Sequence, residues 1–118
     1  MYSPDNWGLV KIDTDGKDPL PFIYKVIGGW SGGYLDGDSW RMNSGITKVT
    51  EKGDYILFSG FSGSVYECYR ESEGLRGMAA QVFYNMKDDE IFKMDAILYE
   101  DFIKEFENVK QSDSAPVV

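Results

Sequence analysis

Gly53-Asp54-Tyr55-Ile56-Leu57-Phe58-Ser59-Gly60-Phe61-Ser62-Gly63-Ser64-Val65-Tyr66-Glu67-Cys68-Tyr69-Arg70 is the stretch that decides the fold. Val65, Glu67 and Tyr69 alternate with Tyr66 and Cys68, the period of two that sets successive side chains on opposite faces of a strand. Tyr55 to Ser59 is a second strand-like run, and the glycine-bounded Ser59-Gly60-Phe61-Ser62-Gly63 joins the two as a hairpin. Cys68 within this aromatic alternation reads as a buried thiol rather than a nucleophile. As the single cysteine it forms no internal disulfide, in keeping with a reducing compartment.

Upstream, turn signals cut the chain into similar pieces. Asp15-Gly16, Gly28-Gly29, Gly32-Gly33, Asp36-Gly37 and Gly53-Asp54 fall between apolar runs. Trp7 to Asp13 places Val10 and Ile12 on one face and Trp7 and Leu9 on the other. Phe22 to Ile27 sets Phe22, Tyr24 and Val26 against Ile23, Lys25 and Ile27. Residues 39–50 read as two short strand pieces with a bulge or bend at Asn43-Ser44-Gly45. Downstream the period changes. Met78, Ala79, Val82, Phe83 and Met86 recur at three and four residues and predict a helix over 77–87, with a strand as the alternative. Segment 90–95 reads either as a last strand or as the start of the last helix. That helix carries the seam Leu98, Phe102, Phe106 and Val109, with Glu100 and Asp101 at its positive end.

These pieces give an α+β fold: a small twisted antiparallel sheet or open barrel of about five strands, packed against one or two C-terminal helices. One globular domain is expected over 1–111, with a mobile tail over 112–118. The 118 residues suit one core, and 3 Trp, 8 Tyr and 7 Phe supply ample apolar surface for it.

Composition excludes several chemistries. With no histidine there is no Ser-His-Asp triad and no His-ligated zinc. The glycines lack the spacing of a phosphate-binding loop or dinucleotide fingerprint. Asp13-Thr14-Asp15-Gly16-Lys17-Asp18 and Asp36-Gly37-Asp38-Ser39 are too short for calcium loops and read as Asx turns. No enzyme activity, cofactor or metal is expected. The net charge of −8 repels phosphate backbones, so no direct nucleic-acid partner is expected, and no apolar run reaches bilayer-spanning length. The first residues, Met1 to Asn6, carry neither a basic start nor an apolar signal core.

Two segments stand out as candidate interfaces. Gly28 to Arg41 gathers five glycines with Trp30, Tyr34, Asp36, Asp38, Trp40 and Arg41, which is either a long hairpin connection or a recognition surface. Residues 87–113 hold nine acids against four lysines, and so carry −5 of the −8. Asp88, Asp89, Glu90, Glu100, Asp101, Glu105 and Glu107 are either a solvated face or an anionic surface for a basic groove on a partner.

Tyr2-Ser3-Pro4-Asp5-Asn6-Trp7, Gly29-Trp30-Ser31-Gly32-Gly33-Tyr34, Gly37-Asp38-Ser39-Trp40-Arg41-Met42-Asn43-Ser44-Gly45-Ile46 and Ser62-Gly63-Ser64-Val65-Tyr66 resemble a family of small uncharacterised proteins encoded by tailed bacteriophages. The resemblance covers the first 76 residues, and 77–118 departs from it. It implies context only: an accessory phage product made in the cytoplasm of a bacterial host. The expected function is that of a non-enzymatic protein that binds and inhibits or redirects a bacterial host or defence protein. The alternatives are a sequestering protein for a nucleotide-like ligand held by Trp30, Tyr34, Trp40 and Arg41, or a minor virion component.

Overall fold

The alternation in Trp7–Asp13 leaves both faces of that segment apolar, and a strand apolar on both sides must lie between two layers. The computed structural model places it there. It describes residues 1–32, 37–89, 93–106 and 109–111, the last three by their backbone alone. The strands are β1 (Asn6–Asp13), β2 (Phe22–Trp30), β3 (Ser39–Met42), β4 (Ile46–Lys52), β5 (Tyr55–Gly60), β6 (Val65–Tyr69), β7 (Met94–Ile97) and β8 (Val109–Gln111). The helices are α1 (Gly77–Asp88) and α2 (Tyr99–Glu105), and a 3-10 turn spans Arg70–Ser72.

The α+β reading holds, with the strands shared between two sheets. One runs β3-β2-β1-β7 and the other β6-β5-β4-β8. All ladders are antiparallel except that of β8, which lies parallel to β4. The tail expected at 112–118 lies outside the described residues.

Trp7 and Leu9 on β1, with Val26 on β2, turn toward the second sheet and meet Val49, Ile56, Phe58, Tyr66 and Cys68 there, with Tyr99 and Phe102 of α2 in the same core. Val10 of β1 and Ile27 of β2 turn the other way, onto Ala79 and Phe83 of α1 and Met94 of β7. The order of layers is therefore α1, first sheet, second sheet, with α2 packed into the core between the sheets.

The interruption at Asn43-Ser44-Gly45 is where the chain changes sheet, so the two strand pieces read in 39–50 do not share a ladder. Asn43 is buried and does the work of a strand residue. Its backbone N–H donates to Val26 at 3.0 Å, and its side-chain oxygen accepts the Val26 N–H at 2.9 Å. Gly45 has φ +136°, and a Cβ there would lie 2.7 Å from the Phe61 ring, so glycine is required at the crossing.

The helix expected at 77–87 is present as α1, but its buried stripe is Ala79 and Phe83, while Met78 is exposed. α1 approaches the sheet closely at Gly29, where a Cβ would come within 2.9 Å of the Ala79 methyl. The last helix is shorter than its apolar periodicity. It ends at Glu105, and Val109 belongs to β8. Phe106 keeps its place in the seam from extended backbone, stacked 4.8 Å from Phe102 and edge-on to Tyr24, so the apolar spacing runs past the helix end. Among the described residues no helix is long and apolar enough to cross a membrane.

Candidate functional site

The ladder of β2 with β3 pairs Trp30 with Ser39, Gly29 with Trp40 and Gly28 with Arg41. Adjacent positions point to opposite faces, so Trp30 and Arg41 share the side facing the second sheet, and Trp40 lies on the α1 side. A planar ligand cannot touch both indoles from one face. Trp30 and Arg41 are also committed within the fold. The Trp30 indole N–H donates to the Ser3 carbonyl at 3.0 Å, and the Arg41 guanidinium lies 4.4 Å above the Tyr2 ring. Tyr2 in turn packs on Tyr66, 5.1 Å between centroids. Burial pushes the Tyr66 hydroxyl up to about 12, and Arg41 opposes that shift.

Trp40 is 38 % exposed. Asp38 lies across from the start of α1, its carboxylate 3.2 Å from where a Gly77 Cβ would stand. Asn6, Ser31, Asp38, Arg76 and Gly77 line a cleft of about 210 Å³ there. Tyr34 and Asp36 lie outside the described residues.

The acidic candidates divide more sharply. Asp88, Asp89, Glu100, Asp101 and Glu105 are exposed, and Glu90 and Glu107 lie outside the described residues. Glu105 is structural. It accepts hydrogen bonds from Lys11, at 2.6 Å, and from the Tyr24 hydroxyl, fixing the end of α2 to β1 and β2. Those two donors hold its carboxyl below the usual range. Asp101 lies 3.7 Å from Lys104. Among the described residues, no ion pair forms at Asp88 or Glu100.

Between α1 and β7 lies an apolar groove that sequence reasoning missed. It has a volume of about 210 Å³ and is bounded by Gly8, Leu75, Ala80, Tyr84, Ala96 and Leu98. Ala80 and Ala96 bring only a methyl each to the join of β1, β7 and α1, while Leu75 packs over Gly8, where a Cβ would come within 2.9 Å of it. Tyr84 stands 60 % and Leu98 56 % exposed on its rim, large apolar groups without a core to fill. Leu98 matches the apolar seam of α2 in sequence, but it precedes the helix in extended backbone. Tyr84 lies beside Phe83 and off the buried stripe, which was the available signal.

Glu73 touches the same groove. Its carboxylate accepts the Tyr99 backbone N–H at 2.7 Å, and burial, reinforced by Glu100, pushes its pKa up, with the Tyr99 bond opposing. A raised carboxyl in a cleft is a general-acid pattern, but here the oxygen has a structural task at the start of α2. Cys68 is fully buried and its thiol is pushed up, mainly by burial, which disarms it as a nucleophile.

Compared with family models, with curated proteins and with solved structures, the chain matches none.

Proposed function

We propose that this chain is a non-enzymatic accessory protein of a tailed bacteriophage that acts in the host cytoplasm by binding, and so inhibiting or redirecting, a bacterial host or defence protein. The observation that carries the reading is the groove between α1 and β7, where Tyr84 and Leu98 are exposed and the carboxylate-bearing Glu73 lines the wall. Apolar anchors inside a polar rim are the anatomy of a protein-binding surface. The phage context rests on the sequence phrases in the first 76 residues, and the non-enzymatic character on the absence of histidine and the buried, disarmed thiol.

Affinity capture from bacterial lysate tests it. Tagged wild type should retain one specific host protein, and Tyr84→Ala should release it while Trp40→Ala does not. Capture of no specific protein, or equal capture by Tyr84→Ala, overturns the reading.

A further inference from the structure

We propose that two copies of this chain associate edge to edge through β3, antiparallel about a two-fold axis at Trp40, and so join their first sheets into a single larger one.

The ladder with β2 fixes which backbone groups of β3 are free. In an antiparallel pair, successive residues direct their N–H and C=O alternately toward the neighbouring strand and away from it. The Asn43 N–H donates to the Val26 carbonyl, and the same ladder continues through Arg41 with Gly28 and Ser39 with Trp30. Trp40 and Met42 therefore direct their backbone groups to the outer edge, where they meet no partner among the described residues. The edge of β6, by contrast, is closed. The Tyr2 N–H donates to the Val65 carbonyl at 2.9 Å, and the Tyr2 carbonyl accepts the Glu67 N–H at 2.7 Å. β7 carries a charged pair, Lys87 with Asp95 at 3.2 Å, and charge at an edge discourages an added strand. β3 has neither guard, because Arg41, its one charged residue, is drawn onto the Tyr2 ring at 4.4 Å.

An extended strand is the occupant that matches alternating donors and acceptors at this spacing, and a second β3 also accounts for the side chains. Trp40 stands opposite Gly29, so its indole has no cross-strand side chain within the sheet. It is 38 % exposed, and among the described residues its ring meets no other aromatic and its indole N–H no acceptor. A residue on a two-fold axis meets itself. Pairing centred on Trp40 sets indole beside indole, the aromatic cross-strand pair that stabilises a sheet. The same register puts Ser39 opposite Arg41 of the other copy, so like charges do not face each other.

α1 fits this symmetry. It lies over β2 and β3. A helix midway between two strands about 4.8 Å apart sits one spacing from the proposed axis, so the two helices would lie roughly 10 Å apart, a packing distance. Ala79 lies against Gly29, the ladder partner of Trp40, so the first turn of α1, with its exposed Met78, is the part that reaches the axis. The net charge of −8 is not concentrated here: Arg41 on β3 and Arg76 in the adjoining cleft stand against Asp38.

Sedimentation equilibrium of the full chain should show a reversible dimer. Trp40→Pro removes the edge donor and the indole and spares the bonds to β2, and Trp40→Lys keeps the donor and charges the edge. Each should weaken association about tenfold, with circular dichroism showing that the fold is kept. As a covalent readout, Trp40→Cys should link two copies on mild oxidation, because a Cα spacing of about 5.5 Å at the axis suits a disulfide. Ser39→Cys should not, and the buried Cys68 takes no part. A monomer at all concentrations, the outcome expected if the edge takes another protein's strand, overturns the proposal. So does a dimer that survives both Trp40→Pro and Trp40→Lys, or equal cross-linking by Ser39→Cys.

Discussion

The Trp7 indole N–H donates to the Tyr69 carbonyl at 2.7 Å, a bond that runs from one sheet to the other. Trp7 is fully buried, packed against Phe58 at 5.5 Å and edge-on to Tyr99 at 6.4 Å, so it joins both sheets and α2 in one contact set. Trp7→Phe keeps most of the ring volume and removes the donor. It should cost about 1–3 kcal/mol, the loss of a buried bond with its acceptor left behind. Trp7→Ala adds a cavity and should cost about 3–5 kcal/mol. Urea unfolding followed by fluorescence of the remaining tryptophans measures both.

Gly29→Ala places a methyl 2.9 Å from the Ala79 methyl and from the Asn6 amide, both in buried surroundings. Overpacking of this kind should cost about 1–3 kcal/mol. Because the Asn6 carbonyl oxygen accepts the Arg76 N–H at the entry to α1, the lost stability should appear first as faster amide exchange in α1.

Glu105 and Glu73 should titrate stability in opposite directions. Glu105 is held low by Lys11 and Tyr24, so its contribution is present above the unfolded carboxyl pKa of about 4.3 and is lost as pH falls through its lower folded value. Glu73 is held high by burial, so its contribution is present below the unfolded value and is lost as pH rises through the raised folded value. Urea midpoints across acidic pH should fall less steeply on acidification in Glu105→Gln than in wild type. In Glu73→Gln, whose amide oxygen still accepts the Tyr99 N–H, the loss on raising pH should vanish.

Cys68 should resist thiol reagents in the folded protein, since it is buried and its thiolate is disfavoured. Labelling should proceed only through unfolding and accelerate with urea as the population of open chain grows. Rapid stoichiometric labelling without denaturant would contradict the burial of β6 against the first sheet.

Much of the fold was legible because alternation is a local signal. The two faces read in Trp7–Asp13 became two cores, and Tyr66 and Cys68 turned inward as their spacing required. Which sheet each strand joins was not legible. Asn43-Ser44-Gly45 marked a break, but only the pairing of β3 with β2 and of β4 with β5 shows that the chain crosses between layers there. The length of α2 was misread because Phe106 continues an apolar spacing that no longer reports helix. Of the candidate sites, the acidic segment was visible as charge. The groove was not, because Leu75, Ala80, Ala96 and Leu98 are distant in sequence and make a depression only by converging. Trp30 and Trp40 looked like one cluster because they flank one loop, yet their ladder partners place them on opposite faces.

The most direct test is where a captured host protein touches this chain. Amide hydrogen exchange of the complex, compared with the free protein, should show new protection at 80–84 in α1 and 96–98 at the end of β7, with 39–42 unchanged. Protection confined to 39–42, with 80–84 and 96–98 exchanging as in the free protein, would contradict it.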